Sequence, residues 1–133
     1  MPIPNILCSR CCLAEESTDH IFVNCLWARS VWWNVFRWLK ITTIYDDSSV
    51  NNLLEHVNAQ VGSKRWKKMP QMVTFGCLWT LWLARNEKEF NGNMMPVQKI
   101  LELIKEETFM WVKSRAAGGV LDWKKWLEFD ISV

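Results

Sequence analysis

The stretch from Cys8 to Cys25 constrains this chain more than any other. It reads Cys8-Ser-Arg-Cys11-Cys-Leu-Ala-Glu-Glu-Ser-Thr-Asp-His20-Ile-Phe-Val-Asn-Cys25. Zn²⁺ takes four ligands in a tetrahedron, and its structural sites are commonly Cys₄, Cys₃His or Cys₂His₂. Cys8 and Cys11 form a Cys-x₂-Cys knuckle, a tight turn that can set two thiolates on one ion. His20 and Cys25 follow as a His-x₄-Cys pair that completes the set. Four protein donors leave no position for a catalytic water, so the pattern points to one structural Zn²⁺ per chain.

Other uses of these residues are weaker. A redox Cys-x₂-Cys pair belongs beside a βαβ pattern, and no strand alternation is visible. Cys12 offers a competing Cys-x₃-Cys register with Cys8; Cys11 is preferred because two intervening residues match the usual knuckle. Glu15 and Glu16 read as solvated loop carboxylates or as partners that orient His20. Asp19 or Thr18 is expected to cap a short helical turn carrying His20.

The run C-x₂-C-x₄-E-x₃-H-x₄-C-x₂-A-x₂-V-W, here Cys8, Cys11, Glu16, His20, Cys25, Ala28, Val31 and Trp32, resembles the zinc-binding domain at the C-terminal end of plant non-LTR (LINE-type) retrotransposon reverse transcriptases. A second block, Leu78-Trp79-Thr-Leu-Trp82-Leu-Ala-Arg85-Asn86-Glu-Lys-Glu-Phe90, is similar to the W-x₂-W-x₂-R-N-x₃-F stretch that follows that domain. The resemblance implies a non-catalytic accessory segment that helps to hold RNA or DNA. It also implies N-terminal truncation, because the chain starts only seven residues before Cys8, where the family has a further helical segment. Tyr45-Asp46-Asp47 does not supply the polymerase's aromatic-x-Asp-Asp signature, since the aromatic position holds Ile44. Polymerase catalysis would lie in a domain that this chain lacks.

A chain of 133 residues, 50% hydrophobic and 23% charged, is expected to fold as one globular domain. Its parts are residues 8–40 (knuckle and first long helix), 50–116 (helical body) and 117–133 (tail). The formal charge is +2; three bound thiolates and Zn²⁺ would lower it by about one. That balance is not the strongly basic one expected of a dedicated nucleic-acid binder. The five cysteines, with no secretory signal and no long apolar run, fit a reducing intracellular setting, nuclear or cytoplasmic, and no membrane partner.

Beyond the knuckle the period is helical, so the fold is predicted to be all-α, with the knuckle packed on about four helices. Ala28, Val31, Trp32, Val35 and Leu39 share a face of a helix over 26–40. Trp33 points elsewhere; it either packs on a neighbouring helix, the plainer account, or anchors a partner. Asp46, Asp47 and Ser48 are expected to cap a second helix over 50–61, with Val50, Leu53, Leu54, Val57 and Val61 inward, Gly62 ending it, and His56 on the surface. Pro70 is placed in the first turn of a third helix, 71–90, whose core face reads as Met72, Phe75, Trp79, Trp82, Leu83 and Phe90. Asn86 would fall on that face, as a hydrogen-bonded latch to a loop, the plainer account, or in contact with a ligand; Arg85 would pair with an acidic residue or a phosphate, and Cys77 would lie opposite as a free thiol. Pro96 opens a fourth helix with Val97, Ile100, Ile104 and Trp111 inward.

Two binding surfaces are legible. Arg10, Lys64, Arg65, Lys67 and Lys68 could neutralise phosphates while Trp66 stacks on a base. The plainer account makes residues 63–68 a solvated helix start with Trp66 turned inward. Alternatively Trp33, Trp123 and Trp126 form a protein-docking surface, the tail covering the core or staying exposed. A third reading is a retroelement fragment with no function of its own. No phosphate loop, nucleophile or catalytic carboxylate pair is present, so neither an enzyme nor a small-molecule substrate is expected.

Overall fold

The computed structural model describes residues 8, 11, 15–41, 49–60, 64–115 and 122–129, with the side chains of residues 64–66 and 115 left out. It is all-α. A single π-helical turn, His20–Asn24, leads into α1 (Leu26–Leu39), followed by α2 (Val50–Asn58), α3 (Lys64–Asn91), α4 (Val97–Arg115) and the short α5 (Trp123–Glu128). The core sits where α4 meets α3 on one side and α1 on the other, with α5 closing against α4.

Helix α1 follows its pattern. Ala28, Val31, Trp32, Val35 and Leu39 are buried, joined by Phe36 and Trp38. Lys40 ends the helix in the left-handed region at φ 60°, where its N–H reaches the carbonyls of Arg37 and Phe36. Trp33 remains about half exposed. A large apolar ring must bring its N–H to a partner when buried, and each buried indole does so. Trp32 Nε1 donates to the Phe22 carbonyl at 2.6 Å, Trp38 Nε1 to that of Trp126 at 2.8 Å, and Trp126 Nε1 to that of Lys105 at 2.9 Å.

Several expectations are corrected. The cap of α2 is Ser49, whose Oγ accepts from Asn52 N–H at 3.0 Å; Asp46, Asp47 and Ser48 lie outside the described residues. That helix stops at Asn58, with Val61 and Gly62 likewise outside. His56 is half-buried, its ring edge-on to Phe36 at 5.9 Å, rather than a solvated surface histidine. Pro70 lies well inside α3, which begins at Lys64. A proline there forgoes one helical hydrogen bond. Burial of Met69, Pro70 and Val73 in the core outweighs that loss. Trp126, offered as surface, is fully buried, edge-on to Trp38 at 5.2 Å; Trp123 and Leu127 stay partly exposed.

The main correction concerns α3. Its buried face is Met69, Val73, Cys77, Leu81 and Ala84, whereas Phe75, Trp79, Trp82, Leu83 and Phe90 are exposed. Of the expected core face only Met72 stays packed against the core; the rest points outward, and Cys77, expected opposite it, is in the core. Gly76 decides this orientation. A Cβ placed there would stand 2.6 Å from Thr108 Cγ2 and 3.4 Å from Trp111 Cζ3, so α3 and α4 approach most closely where only glycine fits. Trp111 accordingly lies over Gly76 at the rim, and Leu101, Thr108 and Val112 continue the inward face of α4 with Ile100 and Ile104. The buried hydroxyls in this contact cost little: Thr74, Thr80 and Thr108 each donate to the carbonyl four residues earlier.

Gly76→Ala should therefore overpack the crossing and destabilise the fold by about 1–3 kcal/mol. Urea denaturation of Gly76→Ala against Gly76→Ala/Thr108→Ser checks the cause, because removing the Thr108 methyl should recover part of the loss.

Candidate metal centre

The local chain is shaped so that ligands five residues apart can meet. In an α-helix, His20 and Cys25 would project about 140° apart. The wider π-turn closes instead with Cys25 N–H on the His20 carbonyl at 2.8 Å, and Cys25 then leaves the helical region at ψ 141°. The turn is entered through Ser17, whose Oγ accepts the His20 N–H at 3.1 Å. Neither Asp19 nor Thr18 makes that bond. Asp19 reaches across to the start of α2, accepting Val50 N–H at 3.0 Å.

Cys8, Cys11, His20 and Cys25 come together, with all four donor atoms within 4.8 Å of one another. Cys8 Sγ and Cys25 Sγ are 3.7 Å apart, and Cys11 Sγ lies 3.2 Å from His20 Nε2. Covalent S–S bonds measure about 2.05 Å, so Cys8 and Cys25 are not a disulfide. Thiolates about 2.3 Å from a shared tetrahedral centre would be about 3.8 Å apart. The 3.7 Å separation fits that edge. Cys8 and Cys25 are fully buried, His20 nearly so, and Cys11 faces the rim. The donor set fits a metal ion: three soft sulfurs and one imidazole suit Zn²⁺ in a closed structural site. Cys12 and Arg10 lie outside the described residues. Cys77 is not one of the clustered donors, and burial pushes its thiol well above the ordinary value.

Beside the cluster, Glu16 Oε1 and Arg85 Nη2 form an ion pair that ties the loop to α3. Both side chains are mostly buried. Glu16 is thus neither a solvated carboxylate nor the partner of His20; Glu15 is exposed. Arg85 Nη1 also donates to Asn86 Oδ1 at 3.0 Å, so the Asn86 amide meets a side chain rather than a loop. The guanidinium packs 5.4 Å over the Trp82 ring, and Trp82 in turn lies 6.1 Å from Phe22 in the π-turn. Arg85 is held above its ordinary pKa, first by the hydrogen bond to Glu16. Burial opposes that rise, while the charges of Glu16, Glu89 and Cys8 add to it. Glu16 and Arg85 are 69 residues apart in sequence, and only their membership in the two quoted blocks links them there.

The basic candidates are only partly placed. Lys68 is exposed and Lys67 half-buried near the start of α3. The side chains of Lys64, Arg65 and Trp66 are outside the description. No helix among the described residues is long and apolar enough to cross a membrane. Comparison with protein-family models, curated proteins and solved structures finds no match for the chain.

Removing one member of a buried ion pair leaves the other charge unpaired, at about 3–5 kcal/mol where burial is complete. The pair here keeps some solvent contact, so Arg85→Met should cost about 2 kcal/mol. Chemical denaturation checks this; Glu16→Gln added to Arg85→Met should restore much of the loss, because no charge then remains stranded.

Proposed function

We propose that this chain is a non-catalytic, zinc-stapled accessory module of the kind found in plant retrotransposon reverse transcriptases, where it would help to hold RNA or DNA. The observation that carries the reading is the convergence of Cys8, Cys11, His20 and Cys25 within 4.8 Å. Bound there, Zn²⁺ would supply folding free energy rather than reactivity, since no donor position is left for water. The retroelement reading is supported by the way the resembling residues meet. Glu16 of the first block pairs with Arg85 of the second. Ala28, Val31 and Trp32 of the first block are fully buried beneath the cluster.

The nucleic-acid part rests on Arg10, Lys64, Arg65, Lys67 and Lys68 with Trp66, of which Lys68 is the exposed, described cation. A second reading, a protein-interaction module, is favoured by the aromatic face that α3 turns to solvent.

Metal analysis of the purified protein should find one zinc per chain, lost in Cys25→Ser and retained in Cys12→Ser. Chelation should unfold at least residues 8–40, visible as lost amide protection. A folded wild type without metal would remove the basis of this reading. Fluorescence anisotropy with short single-stranded RNA and DNA should then show affinity falling roughly 50-fold between about 50 and 200 mM salt, as about four phosphate contacts require. Binding that ignores salt, or none at all, would favour the interaction module instead.

A further inference from the structure

The exposed face of α3 is an unusual use of apolar surface. Phe75 is 59% exposed, Trp79 52% and Phe90 75%, with Trp82 and Leu83 between them. At about 100° per residue these five side chains fall within a sector roughly 100° wide. With side chains of roughly 150–250 Å² each, their exposed parts amount to about 600 Å². That is at the top of what monomers usually leave open, roughly 300–600 Å². It also reaches the lower end of what one partner contributes to a stable interface, about 600–800 Å².

The pattern along the helix indicates what covers it. Met72, Phe75, Trp79, Trp82 and Asn86 follow at alternating intervals of three and four residues. That is the seam of a helix paired with another helix, and a polar Asn in such a seam fixes its register. The charges at its two ends differ. Lys68 stands on the seam at the N-terminal end, and Glu89 flanks it at the C-terminal end beside Phe90; both are exposed. Glu87 on the other flank is held by Asn91 and Asn93, at 3.1 and 2.7 Å. A like helix laid parallel would set lysine against lysine. Laid antiparallel, it sets lysine against glutamate at both ends.

We infer that this face of α3 pairs with the same face of a second copy of the chain, antiparallel and two-fold symmetric, with Lys68 of each copy against Glu89 of the other. Phe75 then lies opposite Trp82 of the second copy. Trp79 of each copy enters the other's shallow groove, about 480 Å³ and lined by Phe22, Phe75, Leu78, Trp79 and Trp82. A closed two-fold contact of this kind buries both faces at once and leaves no open edge for further growth. The inference rests on the interaction-module reading and stands apart from nucleic-acid binding.

Sedimentation velocity of the metal-loaded full chain, in reducing buffer and without nucleic acid, tests it. The expected result is a dimer with a dissociation constant on the order of micromolar, as a small interface gives. Trp79→Glu, at an exposed position, should keep its circular dichroism and weaken pairing at least about 100-fold. Lys68→Glu and Glu89→Lys should each weaken it about five- to tenfold, since each affects two symmetric contacts. Together they should restore it, as antiparallel apposition requires. A monomer at all accessible concentrations would overturn the inference and leave the face to another occupant. So would a dimer indifferent to Trp79→Glu, or a double exchange that fails to recover pairing.

Discussion

The convergence of three sulfurs and an imidazole ahead of α1 is the constraint on which the rest of this structure depends. Two of the sulfurs are fully buried and only 3.7 Å apart. As thiolates they would repel strongly in so dry a place, and a shared cation would let them coexist. The same convergence holds the π-turn in place. Phe22 inside that turn offers its carbonyl to the Trp32 indole, so ligand positions, turn and first helix are one mechanical unit. Asp19, between Ser17 and His20, extends that unit to the start of α2.

A second link carries the unit to α3. The Glu16–Arg85 pair is of the partly buried kind whose net contribution to stability is small, because desolvation offsets attraction. Its effect is positional. The guanidinium touches the loop carboxylate, the Asn86 amide and the Trp82 face at once. Arg85 therefore ties α3 to the loop that carries Glu16. A lysine could not replace it, since a point charge has no planar fork to satisfy two oxygens while stacking on an indole.

The proximity of the four metal-binding residue types, the helical class and the inward face of α1 were legible because each is written in a short, regular pattern. Their spacing marks Cys8, Cys11, His20 and Cys25 as one group, though the π-turn that brings His20 and Cys25 together is not written in it, and a helical period sorts Ala28 through Leu39. The caps were less legible. Ser17, Thr18 and Asp19 are all cap-forming types, and the pattern does not tell that Ser17 meets His20 while Asp19 reaches α2. Pro70 misled because a proline reads as a helix start, and the burial that overrides its missing N–H comes from residues distant in sequence. Trp126 was ambiguous for a related reason. Its pocket, made by Trp38, Phe109 and Phe129, is assembled from three separate segments.

The rotation of α3 was the hardest feature to read, and its cause is general. Both faces of this helix are apolar, so periodicity cannot choose between them, and choosing the larger side chains picks the wrong one. Core position is decided by how closely the neighbouring helix must approach. Val73, Gly76, Cys77, Thr80 and Ala84 are small enough to admit α4, and Gly76 leaves no room even for a methyl group against Thr108. A tryptophan on that side would hold the helices apart and open voids along the whole contact, at a cost that native packing density does not allow. Small residues therefore take the inside, and the aromatic residues are displaced outward. Outward, however, they keep the three–four spacing of a packed seam rather than scattering as isolated surface residues. That regularity is not needed by the monomer's core, which makes a second helix across the seam the simplest physical reason for it.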